Sequence, residues 1–145
     1  MKVKVGAGGE KADFERVLAA AGAGRRPRLI LDGNQKLGVA GTLRLVEACL
    51  KRGLNVELVE QPVAREDLKG MRTLSRDCPV PIAADESLRT PEDAKRLIDA
   101  EAAQVFNVKV AKSGLLQSLE ILALARAAGR RLMIGCMQET AAGLS

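Results

Sequence analysis

The chain has 145 residues, enough for one domain with a hydrophobic core of its own. With 47% hydrophobic residues, 28% charged residues and a net charge of +5, its composition is that of an ordinary globular chain. Histidine is absent. That excludes imidazole-based triads and His-rich zinc sites, and leaves any acid–base work to Lys, Asp or Glu.

In chain order, Lys2-Val3-Lys4-Val5-Gly6 alternates as a strand does and ends at glycine. Gly6-Ala7-Gly8-Gly9 fits neither phosphate-loop pattern and reads as a turn. Ala12 to Ala21 reads as a helix with Phe14, Val17 and Leu18 on one face, stopped at Gly22-Ala23-Gly24. Arg28 to Asp32 is nearly all apolar, as expected of a parallel strand buried on both faces. Ala40 to Arg52 is an amphipathic helix with Leu43, Val46 and Leu50 inward and Gly53 as its stop. Val56 to Glu60 is a strand closed by Pro62, and Arg65 to Asp77 is helical. Pro81 to Asp85 is a short strand. Thr90-Pro91-Glu92-Asp93 is a strong helix start, with a threonine cap, proline in the first turn and acids at the positive dipole end. Val105 to Lys109 is a strand, Ser113 opens a helix through Ala128, and Arg131 to Gly135 is the last strand. Gln138 to Ser145 reads as the beginning of a further helix.

Special residues close these apolar runs at nearly even steps. From Lys4 through Asp32, Glu60, Asp85 and Lys109 to Gly135, beside Cys136, the steps are 28, 28, 25, 24 and 26 residues. Each step is the length of a strand, a helix and two short loops, so the chain predicts six stacked βα units in one domain. In parallel α/β folds, function gathers at the carboxyl ends of strands. A flavodoxin-like sheet has the same period but loads fewer strand ends, so six loaded ends favour a barrel.

Asp32, Glu60 and Asp85 at neighbouring strand ends would repel one another, and a divalent cation resolves that repulsion. An all-oxygen donor set suits Mg²⁺ or Mn²⁺ rather than zinc. Any one of these acids alone reads as a helix-capping or arginine-paired carboxylate; three at this spacing favour a metal. Lys4 and Lys109 flank them as candidate bases. Lys2, on the face of Lys4, either lowers its pKa by like-charge repulsion or is a solvated surface lysine. Lys112 falls past the strand end and reads as surface or loop. A metal between two lysine bases suits removal of the proton α to a carboxylate and its return to the opposite face, which is racemisation or epimerisation.

These segments resemble the enolase superfamily, specifically its muconate-lactonising-enzyme-like subgroup. The matching stretches are Lys2-Val3-Lys4, Leu31-Asp32-Gly33-Asn34, Val59-Glu60-Gln61-Pro62, Ala84-Asp85-Glu86-Ser87, and Asn107-Val108-Lys109 running into Lys112-Ser113-Gly114. The use of a lysine base with Mg²⁺ is a general property of enolase-superfamily sites, not a deduction from this sequence. The resemblance implies an α/β partial TIM (β/α)8 barrel. It implies Asp32, Glu60 and Asp85 as ligands of Mg²⁺ (Mn²⁺ as the alternative) and Lys4 and Lys109 as the acid–base pair, with Lys2, Asn34, Asn107, Cys136 and Glu139 in support. The mandelate-racemase-like subgroup uses a histidine on a later strand, and this chain has none. Gly135-Cys136-Met137-Gln138-Glu139-Thr140 is similar to the seventh-strand segment of dipeptide epimerases of the Ala-Glu type. Similar segments occur in N-succinylamino-acid racemases and o-succinylbenzoate synthases. N-acylamino-acid racemase, o-succinylbenzoate synthase and muconate-cycloisomerase-like activities are the alternatives that the resemblance leaves open.

Family members also carry an N-terminal α+β capping domain and eight barrel strands. Against that pattern this sequence holds strands two to seven, without the capping domain, the first strand or the eighth with its Asp-x-Asp motif. The expectation is an open arc whose activity is impaired and whose free edges favour self-association. An inactive partial barrel that acts only through self-assembly is the non-enzymatic alternative. The expected partner is a small carboxylate, a dipeptide or an N-acylamino acid. No aromatic platform interleaves the scattered basic residues, which speaks against nucleic acid. No apolar run is long enough for a membrane span and no signal-peptide h-region opens the chain. Cys49, Cys78 and Cys136 are far apart and read as free thiols of a cytoplasmic protein.

Overall fold

The computed structural model describes residues 1–22 and 27–136, so Glu139 and the expected helix start over Gln138–Ser145 lie outside the described residues. The elements run β1 (Lys2–Lys4), α1 (Gly9–Gly22), β2 (Leu29–Asp32), α2 (Gly38–Lys51), β3 (Val56–Glu60), α3 (Leu68–Asp77), β4 (Ile82–Ala84), α4 (Pro91–Asp99), β5 (Val105–Val108), α5 (Val110–Ala127) and β6 (Arg131–Ile134). The strands form one parallel six-stranded sheet in chain order, so each helix is a crossover between neighbouring strands.

Local chemistry explains most boundaries. The Thr90 hydroxyl accepts the Asp93 N–H at 3.2 Å and the Asp93 carboxylate accepts the Thr90 N–H at 3.1 Å, which closes a capping box at the start of α4. The helix expected from Arg65 begins only at Leu68. The Asp67 N–H bonds back to the Ala64 carbonyl in a turn, and the Asp67 side chain caps the Gly70 N–H at 2.8 Å. The helix expected from Ser113 begins at Val110 and breaks at Gly114, whose φ of 72° and ψ of 167° are not helical. In α2 the buried residues are Thr42, Leu45, Val46 and Cys49, whereas Leu50, expected inward, is 39% exposed. In α1 the buried pair is Asp13 and Val17, with Phe14 and Leu18 only partly covered.

The sheet has two apolar layers. Its outer face and the helices form the main core, around Leu29, Leu31, Val59, Ile82 and Phe106. The inner face holds a small cluster of Leu58, Ala83 and Val105 with Ile30 and Met133 against it. Residues two further along each of these strands lie on the same inner face: Asp32, Glu60, Asp85, Asn107 and Gly135. The sheet is curled. The Asn107 amide of β5 donates to the Glu60 carboxylate of β3 at 2.9 Å, passing over β4. Arg131 of β6 reaches Glu57 of β3 at 3.9 Å, although three strand spacings in a flat sheet span about 14 Å. The register is staggered: Lys4 pairs with Asp32 and Asp32 with Glu60, but Glu60 pairs with Ala83, which leaves Asp85 two residues higher.

Candidate active site

The carboxyl ends of the strands open into a cleft of about 590 Å³, walled by Lys2, Lys4, Asp32, Asp85, Lys109 and Cys136 among others. Asp32, Glu60 and Asp85 are 3%, 0% and 4% exposed, so three acids are withdrawn from water at adjacent strand ends. Ammonium groups offset them. Lys2 Nζ lies 2.9 Å from both Asp32 Oδ2 and Glu60 Oε1. Lys109 Nζ lies 2.5 Å from Asp85 Oδ2, and Lys112 Nζ lies 2.6 Å from Asp85 Oδ1.

The protonation equilibria follow from these contacts. Burial pushes the Glu60 carboxyl up, Lys2 pulls it down, and Asp32 and Asp85 add repulsion; the net direction is up. Burial also opposes ionisation of Asp85, but hydrogen bonds from Lys109 and Lys112 outweigh it and hold that carboxyl below its ordinary range. Lys2 is disfavoured as a cation by burial, yet its bonds to Asp32 and Glu60 raise it overall.

Lys112 corrects the reading from sequence. Its side chain is 7% exposed, and its ammonium donates to the carbonyls of Asp85 at 2.6 Å and Leu88 at 3.0 Å as well as to the Asp85 carboxylate. The first turn of α5 folds this side chain back over the end of β4, where these oxygens replace water. Burial still lowers its pKa.

Among the supporting residues, Asn34 sits at a positive φ of 39°; its N–H donates to Asp32 Oδ1 at 3.1 Å and its amide donates to Glu86 at 3.3 Å. Asn107 is buried against Glu60. Cys136 is exposed on the cleft wall. Gly135 leaves room for its neighbours: a Cβ there would stand 2.5 Å from Asn107 Oδ1 and 2.9 Å from Lys109 Cε, so any side chain would displace both. The sequence pattern alone does not mark Gln61 as functional. It is fully buried, and its Oε1 accepts the N–H groups of Asp85 and Ser87, each at 3.0 Å, which fixes the loop that carries Asp85. The readable signal was a glutamine between an acidic strand end and a proline.

Among the described residues, no group of three or more His, Cys, Asp or Glu side chains is gathered tightly enough to hold a metal ion. The carboxylates lean toward lysines rather than toward a common point. The donor set nonetheless fits a hard cation. The Glu60 Oε2 and Glu86 Oε2 atoms are buried acceptors without partners among the described residues, and the Lys2 ammonium already bridges two of the acids.

A curled parallel sheet with acids and lysines at its carboxyl ends defines an α/β chain of barrel type with a polar site at the strand mouths. The chain belongs to the family described as enolase C-terminal domain-like, whose pattern matches residues 1–145. It is 37% identical over 145 residues to the L-Ala-D/L-Glu epimerase of Thermotoga maritima, covering 100% of this chain and 42% of that protein. Among solved structures, it matches a mandelate racemase/muconate lactonizing protein from Herpetosiphon aurantiacus with a TM-score of 0.94 at 36% identity, over 99% of this chain and 41% of the other. It matches the dipeptide epimerase from Enterococcus faecalis V583 complexed with Mg and the dipeptide L-Leu-L-Tyr with a TM-score of 0.91 at 37% identity, over 99% and 40%. The chain thus spans about two fifths of the length of these relatives. Among the described residues, no helix is long and apolar enough to cross a membrane.

Proposed function

We propose that this chain is the central part of an isomerase barrel that removes and returns the proton α to a carboxylate, with a dipeptide as the substrate class. In this reading residues 1–145 supply six of eight βα units, and the capping domain and the first and eighth strands lie outside them. The observation that carries the reading is the placement of Lys4 and Lys109 in the wall of one cleft together with Asp32 and Asp85. The names of the relatives as dipeptide epimerases support it.

Asp32, Glu60 and Asp85 would hold the divalent cation, Mg²⁺ or Mn²⁺. When bound, such a cation supplies a fixed positive charge that favours the electron-rich form of a carboxylate substrate. The lysines do the proton transfer. One Nζ, neutral, takes the α-proton; the other, as an ammonium, returns a proton to the opposite face. The two lysines exchange protonation states in each turnover, so the reverse reaction uses the same pair with roles reversed. Lys2 holds Asp32 and Glu60 in register, and Gln61 and Lys112 hold the loop of Asp85.

The test is α-proton exchange into D₂O by this chain with Mg²⁺ and a panel of dipeptides that includes Ala-Glu. Exchange at the α-carbon of the second residue supports the reading. Its absence with every carboxylate offered, in a chain shown to be folded, rejects it for this chain.

A further inference from the structure

A buried charge lies behind Lys4 that the chemistry just described does not use. Asp13 is the fifth residue of α1 and is 1% exposed, so it is not the helix's own cap. Its Oδ2 accepts the Gly6 N–H at 2.8 Å and its Oδ1 accepts Arg16 Nη1–H at 2.6 Å. The same Arg16 nitrogen donates to the carbonyl oxygen of Lys4 at 3.2 Å. Between these two contacts, the Val5 N–H donates to the Asp32 carbonyl at 2.9 Å. Three successive residues at the exit of β1 are therefore tied down, Lys4 and Gly6 through the Asp13–Arg16 pair and Val5 through β2.

The exit has no slack. Gly6 has a φ of 94°, and a Cβ there would stand 2.8 Å from the Lys36 Cβ. A carboxylate this deep is tolerated only when its oxygens are satisfied, and each Asp13 oxygen has a donor. Among the described residues Lys109 has no such carboxylate–arginine pair behind it; its ammonium is anchored by Asp85 at the end of the neighbouring strand. The two lysines are thus held by separate means.

We infer that Asp13 and Arg16 are positioning residues for Lys4, setting the backbone from which its side chain enters the cleft. The inference rests on the proposed role of Lys4 as one of the two proton-transfer lysines. Because Asp13 acts on one lysine only, its loss is one-sided. A displacement of about 1 Å in a reacting group costs on the order of 100-fold in rate.

The experiment follows α-proton exchange into D₂O separately from each epimer of the dipeptide, with Mg²⁺, in the wild type, in Asp13→Asn and in Arg16→Gln. Both variants should lose roughly 100-fold in kcat for the epimer whose proton Lys4 takes. KM and the exchange rate of the other epimer should stay unchanged. Equal losses for both epimers, or no loss, overturn the inference. If the wild type exchanges neither epimer, the proposed function fails by itself, and hydrogen exchange at the Gly6 amide decides the positioning claim. Protection at Gly6 that is lost in Asp13→Asn while the sheet stays protected upholds it. Protection that is retained, or lost throughout the sheet, overturns it.

Discussion

Lys109 and Lys112 both reach Asp85, and their surroundings separate their roles. Both line the cleft, but Lys109 has one carboxylate partner, whereas Lys112 is also held by two backbone carbonyls within 3.0 Å. Lys109→Ala should lower α-proton exchange by roughly 100-fold to 10,000-fold, as loss of a general base does, for the epimer whose proton Lys109 takes, and leave Mg²⁺ affinity nearly intact by calorimetry. Parallel loss of metal binding would contradict the assignment. Lys112→Met should instead lower the stability measured in urea by about 2 kcal/mol, because buried oxygens lose a charged donor. The cysteines divide in the same way. Cys136 is exposed, whereas burial pushes the Cys49 thiol up from its ordinary 9.0 to about 11. A thiol reagent at pH 8 should label Cys136 in the native chain and Cys49 only after unfolding. The folded state holds the Cys49 proton longer than the unfolded chain does, so stability should fall as pH rises from about 9 to about 11, by about 3 kcal/mol. A fall that is smaller by about this amount in Cys49→Ala checks the attribution.

At the scale of elements, Thr90 governs α4 through its reciprocal bonds with Asp93. Thr90→Ala should cost about 1 kcal/mol in a denaturant titration. This helix start was legible because every group that makes it lies within four residues. The strand ends were legible for a related reason, since apolar runs broken by one charged residue at an even period leave few alternatives. The starts of α3 and α5 were not. One depends on the turn from Ala64 to Asp67 and the other on the break at Gly114, and neither leaves a periodic trace. The polar interior was the least legible part. Lys112 looks like any lysine beyond a strand, and only Asp85, 27 residues earlier, explains its burial. Gln61 likewise takes its role from Asp85, 24 residues on. Partners so far apart are brought together by topology rather than by local preference.

For the whole molecule, thermal unfolding with and without millimolar Mg²⁺ tests whether the carboxylates act together. A ligand that binds only the folded state raises the midpoint. The expected rise, absent in Asp85→Ala, would show the acids cooperating; a cooperative transition indifferent to Mg²⁺ would count against the proposed site. Among the described residues the sheet ends at β1 and β6, and Leu115, Leu116, Leu119 and Ile134 are 63%, 81%, 55% and 70% exposed near the second of these. Open strand edges beside apolar surface promote pairing between molecules. The chain taken alone should therefore show concentration-dependent self-association by light scattering, and a monomer at every concentration would refute this.

The Lys2 ammonium, seated between Asp32 and Glu60, also bears on the order of events in the life of the chain. A pair of buried acids that had to await a metal would make folding hostage to divalent-ion supply. Here an internal cation already stands between them, so the repulsion between the two acids is relieved without a divalent ion. On the proposed reading, metal is then added to a pair of acids that an internal ammonium already holds apart, so loading refines the site rather than creating it.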